Sequence, residues 1–311
     1  MENIFDSSIE PTVAINIALS RLAEFLNAGS ACSFQPLPQA MGLNGNGAKA
    51  TVEEITGEHY GQLFKQFSDT SYWDEPVRLL RERLERNDIP IDSIADKTVL
   101  DVGCGGGRYS VAWRLLGAKK VVGYDVSATG IADARKRVEA AGIDNVSFQE
   151  GNVLSLPFEE NSFDIVYSNG VLHHTTDWET GVSELVRVLT DDGLGFLYLI
   201  ENPGGLFWDL IEILRVVLKD MDKGVARDAL RMIGIPANRI FYMLDHVLVP
   251  INVRLTPKQI EDSLARFGAS NIRRLQRGAD FDRAEQIFQN RRFADVKYGV
   301  GENRFVFSKS N

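Results

Sequence analysis

Cysteine is almost absent from this sequence of 311 residues. Only Cys32 and Cys104 occur, which is too few for a disulfide framework and predicts a reduced, cytoplasmic setting. Motifs that bind zinc or iron, such as Cys-x-x-Cys or His-x-x-x-His, are also missing, so no metal site is expected. The N-terminus lacks a basic stretch followed by an apolar run, and no signal peptide is predicted.

Basic charge and long apolar runs are scarce as well. The chain carries 34 Lys and Arg against 43 Asp and Glu, a formal net charge of −9. Proteins that bind nucleic acids usually present a basic face, so no nucleic-acid partner is expected. No stretch approaches the ~20 consecutive apolar residues of a membrane span, so no membrane partner is expected either. The apolar fraction of 44% nevertheless predicts a packed core.

Strand and helix patterns alternate through the middle of the chain, which predicts an α/β fold with a mostly parallel sheet and crossover helices. The alternation stops after the fifth strand and resumes near the C-terminus, where the last strand is expected to be antiparallel. The predicted strands cover residues 97–103, 120–127, 146–152, 163–170, 193–202, 271–276 and 303–309, and the predicted helices cover 109–118, 130–142, 178–189 and 256–268.

Around this Rossmann-like core the sequence predicts additional helical segments. The apolar stripe over 12–27 predicts a helical arm that packs on the domain or on a neighbouring subunit. The long apolar segment 204–250 is either a buried helical hairpin or a cap over a pocket, because it leaves the carboxyl end of a strand. We therefore divide the chain into an arm and linker (1–50), a helical lid region (51–96), the core (97–203), a cap insertion (204–255) and the C-terminal part of the sheet (256–311).

The strongest motif is VLDVGCGGG at residues 99–107, an apolar strand that runs into alternating glycines before a helix. Glycines permit a sharp strand-to-helix turn and the close approach of a ligand to the backbone. Asp101 precedes the first glycine by two positions, and Asp125 ends the next strand about twenty residues beyond the glycines. An acid at the second position is where such folds bind ribose hydroxyls.

Asp101 narrows the class of ligand. A dinucleotide would bring its pyrophosphate to this turn, and a carboxylate there would repel phosphate but suit a cationic amino-acid group. The plainer alternative for Asp101 and Asp125 is that both only cap helices or stabilise turns.

With these features the chain resembles the class I S-adenosylmethionine (SAM)-dependent methyltransferases, particularly their small-molecule branch. The resemblance covers residues 55–205 by motif and 256–309 by topology. It implies that SAM is the cofactor, that S-adenosylhomocysteine (SAH) is the product, and that a methyl group passes to oxygen, nitrogen or carbon of a small molecule.

The resemblance also implies a set of cofactor residues. The glycine turn surrounds the methionine part, Asp125 binds the ribose, and Val126 lies against the adenine. Asn152 and Val153 replace the acidic and hydrophobic pair of the family, and an asparagine can still bind the adenine amino group. The full predicted set is Asp101, Gly103, Cys104, Gly105, Gly107, Asp125, Val126, Asn152, Val153, Ser168 and, in the lid, Tyr60.

The loop after the fourth strand carries His173 and His174, which resembles the loop beside the transferring methyl in this family. One of them, with His174 preferred, can accept the proton of the acceptor, since histidine titrates near neutrality. Alternatively, both histidines only hydrogen-bond the backbone and shape the pocket. Tyr72 and Trp73 either face the acceptor or pack their helix onto the sheet.

The apolar cap predicts an acceptor with an apolar or aromatic body, and a homodimer is left open. Two other function classes stay open beside methyl transfer. One is a SAM-binding scaffold without catalysis, and the other is an NAD(P)-binding oxidoreductase, against which the position of Asp101 speaks.

Overall fold

A computed structural model describes residues 9–31, 51–52, 54–55, 57–58, 72–235, 239–240, 244 and 246–310. Residues 32–50 of the predicted arm and linker and the predicted lid residue Tyr60 lie outside these residues.

A seven-stranded sheet forms the centre of the protein, in the order β3-β2-β1-β4-β5-β7-β6. Neighbouring strands are parallel except that β7 is antiparallel to both β5 and β6. The order reverses direction between β1 and β4, where open α/β sheets bind ligands at their carboxyl ends. The strands are β1 (Thr98–Val102), β2 (Lys120–Asp125), β3 (Val146–Glu150), β4 (Phe163–Asn169), β5 (Leu189–Leu199), β6 (Ala269–Arg274) and β7 (Asn303–Lys309).

Helices cover both faces of the sheet, and several begin at a side-chain cap. The side chains of Ser127, Asp177 and Thr256 accept backbone N–H groups at the starts of α4, α5 and α8, as N-cap residues do. The helices are α1 (Pro11–Ala31), α2 (Asp74–Glu85), α3 (Arg108–Leu115), α4 (Ala128–Ala140), α5 (Trp178–Val188), α6 (Gly205–Val217), α7 (Lys223–Met232), α8 (Pro257–Arg266), α9 (Arg283–Phe288) and α10 (Ala294–Tyr298).

Two hydrophobic cores lie on opposite faces of the sheet. Successive strand residues point to opposite faces, so Val99 packs with Leu80 and Trp113 of α2 and α3. Its neighbour Leu100 belongs to the other core, which includes Leu185 of α5. The sheet is therefore buried between helical layers, as the alternating sequence pattern predicts.

The start of β5 differs from the sequence prediction by several residues. The sequence predicts a strand that starts at 193, whereas β5 already begins at Leu189, directly after α5. The pairing of β5 with β4 and β7 shifts register around this segment, and Asp192 has a left-handed φ of 59°. The turn residues therefore form an irregularity inside the strand, because the flanking residues are held by the sheet.

The segment after β5 is helical and has its own core. Phe207, Trp208 and Ile211 of α6 cluster with Ala226 of α7 and with Tyr298 of α10.

The N-terminal arm packs on this insertion within the same chain, where Ala14 of α1 clusters with Leu210 of α6. This contact is compatible with the predicted packing of the arm on its own domain, and packing on a neighbouring subunit stays a prediction. Within the described residues, none of the helices combines the length and apolarity that crossing a bilayer requires.

Candidate functional site

The glycine turn between β1 and α3 is built from left-handed backbone. Gly103, Gly105 and Gly107 have φ values of 79°, 54° and 78°, a region that favours glycine. A Cβ atom at Gly103 would lie 2.3 Å from Cγ2 of Val171. Because Val171 belongs to the loop after β4, the glycine turn and that loop are in direct contact.

Asp125 stabilises the turn from the neighbouring strand. Its carboxylate accepts the N–H of Gly105 at 2.8 Å and the N–H of Ser127 at 2.8 Å, and burial raises its pKa. The turn-stabilising alternative is thus part of what Asp125 does. A carboxylate has about four lone-pair sites, so two such bonds leave room for ribose hydroxyls.

Asp101 is buried beneath the turn, 2% exposed. The hydroxyl of Ser110 donates to its carboxyl at 2.6 Å. Burial, with a smaller contribution from the charge of Asp125, raises the pKa of Asp101 from 3.8 to about 7.

The raised pKa of Asp101 corrects the expectation that its carboxylate is charged at all times. In the protein without ligand the Asp101 carboxyl is about half protonated near neutrality. Removal from water disfavours its charged form, and a cation bound beside it would restore the charge. A buried acid poised in this way indicates a functional site.

The remaining predicted cofactor residues gather at the same edge of the sheet. Cys104 is buried and its thiol pKa is raised by burial, so the thiol stays neutral. Val153 is buried, whereas Oδ1 of Asn152 accepts the N–H of Leu154 at 2.9 Å. Ser168, at the end of β4, is fully buried, and its Oγ has no hydrogen-bond partner among the described residues.

The lid region reaches this edge at Gly57. A Cβ atom at Gly57 would lie 2.5 Å from Cγ1 of Val126, so the backbone before the first strand approaches the predicted adenine residue closely. Backbone therefore approaches neighbouring side chains closely at Gly57 and at Gly103, and Ser168 has an unpaired hydroxyl. These features together suit the binding of a nucleoside.

Tyr72 has a role that the sequence reading missed. It is fully buried, and its hydroxyl donates to the carbonyl of Gly106 in the glycine turn at 2.6 Å. The guanidinium of Arg137 lies 4.5 Å from the centre of its ring, and Trp73 packs edge-on at 4.6 Å. Tyr72 thus packs against the glycine turn, and Trp73 packs against Tyr72 and the core cluster that contains Cys104.

The two predicted histidines are buried side by side, with ring centres 4.2 Å apart. Nδ1 of His174 lies 2.8 Å from the carbonyl oxygen of Ile251, so the backbone-bonding alternative holds for this ring. Burial lowers the pKa of His174 to about 4 and the pKa of His173 well below its usual range. Because an apolar setting disfavours imidazolium, burial speaks against either ring titrating near neutrality, and the role of one histidine as a base stays a prediction.

His246, to which the sequence assigned no role, packs 4.7 Å from the ring of Trp208. It lies near enough to His173 for its charge to lower the pKa of that ring further. No group of three or more histidine, cysteine or acidic side chains that could hold a metal ion occurs in the described part of the chain.

Residues 251–255 connect the helical insertion to the loop after β4 that carries His173 and His174, which we call the histidine loop. The N–H of Val253 donates to the carbonyl of His173 at 2.9 Å, and the N–H of Leu255 donates to the carbonyl of Ile200 at 2.9 Å. No sequence motif predicted these contacts, because they join distant segments: Val253 and His173 are 80 positions apart.

Comparison with known proteins agrees with this geometry. Residues 100–197 match the family model of a methyltransferase domain. The uncharacterised methyltransferase YcgJ of Bacillus subtilis is 35% identical over 112 residues, which cover 35% of this chain and 44% of that protein. The methyltransferase GfsG of Streptomyces halstedii is 33% identical over 157 residues, 44% of this chain and 54% of that protein. These alignments thus span about half of each relative.

A longer alignment joins the chain to the 27-O-demethylrifamycin SV methyltransferase of Amycolatopsis mediterranei. The identity is 26% over 201 residues, covering 61% of this chain and 68% of that protein. Among solved structures, a chain from the complex between the Haloferax volcanii Trm112 methyltransferase activator and a methyltransferase superposes with a TM-score of 0.52. Its sequence identity is 17%, and the match covers 82% of this chain and 99% of that chain, which supports the fold.

Residues 100–197 therefore form a methyltransferase domain, as in the class I SAM-dependent enzymes that the sequence resembles. The predictions of this family, of its Rossmann-like sheet and of SAM as its cofactor are confirmed.

Proposed function

We propose that this protein transfers the methyl group of SAM to a small-molecule acceptor with an apolar or aromatic body. The observation that carries the proposal is the glycine turn at the β1–β4 switch point, with the buried Asp101 beneath it and the His173 loop against it. The similarity to a 27-O-demethylrifamycin SV methyltransferase supports a small molecule as acceptor.

Each predicted residue receives a role in this proposal. Asp101 pairs with the ammonium group of SAM, and Asp125 accepts hydrogen bonds from the ribose. Val126 and Val153 flank the adenine, and Asn152 binds its amino group. Gly103, Cys104, Gly105 and Gly107 provide the bare backbone around the methionine part, and Ser168 and Tyr60 complete the cofactor contacts.

SAM supplies an electrophilic methyl group for in-line displacement, so holding the acceptor oxygen, nitrogen or carbon in line is the main task of the protein. Closure of the site also excludes water from the reacting centre. We propose the helical insertion 204–255 as the cap and residues 51–96 as the lid, beside the arm (1–50), the core (97–203) and the C-terminal part of the sheet (256–311).

The histidines have unequal roles in this proposal. His174 bonds the backbone through Nδ1, so we now favour His173 as the ring that faces the acceptor. Its lowered pKa makes it a weak base, because proton transfer is most effective near the working pH. His173 then acts mainly by orienting the acceptor.

The direct test is a single-turnover assay with radiolabelled SAM and a panel of aromatic and aliphatic acceptors. His173→Gln should slow transfer by about tenfold or more, whereas His174→Gln should act through the stability of the loop. Unchanged rates in both variants would remove the histidines from the mechanism. Tight binding of SAM with no transfer to any acceptor would favour the non-catalytic SAM-binding alternative.

We also propose a cytoplasmic location, on the low cysteine content and the buried, free thiol of Cys104. A homodimer stays a prediction, and light scattering of the purified protein tests it.

A further inference from the structure

Asn252 lies beside the histidine loop, on the segment that returns from the helical insertion. The carbonyl of the residue before it, Ile251, contacts Nδ1 of His174 at 2.8 Å. The N–H of the residue after it, Val253, donates to the carbonyl of His173 at 2.9 Å. Asn252 is thus held between two hydrogen bonds to this loop.

The amide group of Asn252 is buried without a partner. Both Oδ1 and Nδ2 are inaccessible and make no hydrogen bond within the described residues, and the same holds for Oδ1 of Asn169 and Nδ1 of His173. Leaving a buried polar atom unpaired costs about 1–3 kcal/mol. Three such side chains close together call for an explanation, and contact with a ligand provides one.

The three residues lie near the carboxyl end of β4. Asn169 is the last residue of β4 and pairs with Tyr198 of β5. The ring of His173 lies 5.9 Å from the ring of Tyr198, and the backbone of Asn252 is bonded to the His173 loop as described above. This edge adjoins the glycine turn through Val171, so it lies on the acceptor side of the proposed site.

The chemistry of the three groups selects the kind of ligand. Two carboxamides and an imidazole that is neutral by burial offer hydrogen-bond donors and acceptors but no charge. The nearby guanidinium of Arg283 is already paired with Glu201 at 2.7 Å. A carboxylate or an ammonium group would therefore lose its hydration here without gaining a counter-charge.

We propose that Asn252, with Asn169 and His173, binds the hydroxyl group of an uncharged acceptor. The Nδ2 amide of Asn252 donates to the hydroxyl oxygen, and a neighbouring Oδ1 or Nδ1 accepts the hydroxyl hydrogen. This inference rests on the proposed methyl transfer and narrows its acceptor class to neutral hydroxyl compounds.

The test uses the full-length protein loaded with SAH and three probes of one shape: 2-naphthol, 2-naphthoate and 2-naphthylmethylamine. Calorimetry should show that 2-naphthol binds about tenfold or more tightly than either charged probe. Asn252→Ala should weaken 2-naphthol by about tenfold and leave SAH affinity unchanged. The exposed amide variant Gln276→Ala is the matched control and should change neither.

Asn252→Asp keeps the size of the side chain but adds a negative charge. This variant should therefore bind 2-naphthol more weakly and 2-naphthylmethylamine more tightly than the parent protein. This exchange of preference keeps the test decisive if the alanine variant folds poorly. Equal binding of the three probes, no binding of 2-naphthol, or variants that match the parent protein would overturn the inference. Failure of the parent protein to bind SAH would instead contradict the proposed function.

Discussion

At the scale of single residues, the burial of Asp101 is the most informative feature. An acid whose pKa rises to about 7 on folding costs the protein stability at neutral pH. The folded state binds more protons than the unfolded state between about pH 4 and 7, so this group makes stability fall as pH rises through that window. Such a cost is typical of a residue kept for ligand binding.

Asp101→Asn should therefore stabilise the protein at high pH. A shift from 3.8 to about 7 corresponds to roughly 4 kcal/mol at full ionisation, and we expect a gain of about 2–4 kcal/mol near pH 8 because the amide removes the buried charge. Near pH 4 the variant and the parent should be alike. Urea denaturation at both pH values is the measurement, with exposed Asp92→Asn as control; a variant that is less stable near pH 8 would contradict the account.

The sequence predicted where Asp101 and Asp125 lie, but it did not predict the pKa of Asp101 or the contacts around the glycine turn. The spacing of Asp101 and Asp125 around the glycines indicated a site, because strand ends meet at one edge of a parallel sheet. The pKa of Asp101 depends on burial under the folded chain, and the contact of Tyr72 with Gly106 spans 34 positions. Neither is encoded in a local pattern.

At the scale of elements, the glycine turn and the loop after β4 form one unit. Val171 fills the space that a side chain at Gly103 would need, so the cofactor turn and the histidine loop pack directly against each other. This coupling explains how the first glycine contributes to both halves of the site.

Gly103→Ala should disrupt this unit beyond the cost of backbone strain. Gly234 offers a matched control, since its φ is 81° and a Cβ there meets nothing within 4 Å in the described part of the chain. Both variants should lose about 1–2 kcal/mol from the left-handed backbone, and Gly103→Ala should lose a further 1–3 kcal/mol, roughly, from the clash. Thermal melting and SAH calorimetry measure both effects; equal losses of stability and affinity in the two variants would argue against the coupling.

Element positions were predicted well where the apolar pattern is strong, as in β1 and β4. The prediction failed at the start of β5, because Thr190 to Gly193 have good turn chemistry but are held between α5 and two paired strands. Tertiary pairing overrode local preference there.

At the scale of the whole molecule, Arg283 joins three parts of the chain. Its guanidinium pairs with Glu201 after β5 at 2.7 Å and lies 5.1 Å and 5.6 Å from the rings of Phe207 and Trp208 in α6. It also donates to the hydroxyl of Tyr198 at 3.1 Å. Arg283 thus links the helical insertion to the sheet beside the proposed acceptor site.

Arg283→Ala should lower the free energy of unfolding by about 3–5 kcal/mol, because Glu201 would remain buried without its partner. Adding Glu201→Gln should restore part of the loss by removing that charge. Arg78→Ala, which breaks an exposed pair on α2, should cost no more than about 1 kcal/mol. Urea denaturation gives all three values, and a double variant as unstable as the single one would count against a buried-charge penalty.

The sequence could not predict the ion pair of Arg283 with Glu201, since the two residues are 82 positions apart. It did predict that the segment after β5 is a helical insertion, from the dense apolar residues of α6. The class of protein thus follows from local motifs, whereas the shape of the acceptor site depends on distant contacts.

The most direct test of the account is calorimetric titration of SAM into the parent protein and Asp101→Asn between about pH 5.5 and 7. A cation beside Asp101 requires the ionised carboxylate, so the parent should bind about tenfold more tightly at the upper pH, and binding should release close to one proton at the lower pH but only about half a proton at the upper pH. Asp101→Asn should bind more weakly and show little dependence on pH. No binding of SAM to the parent protein at any pH, or the same pH dependence in both proteins, would contradict the central claim that Asp101 holds the cationic cofactor at the glycine turn.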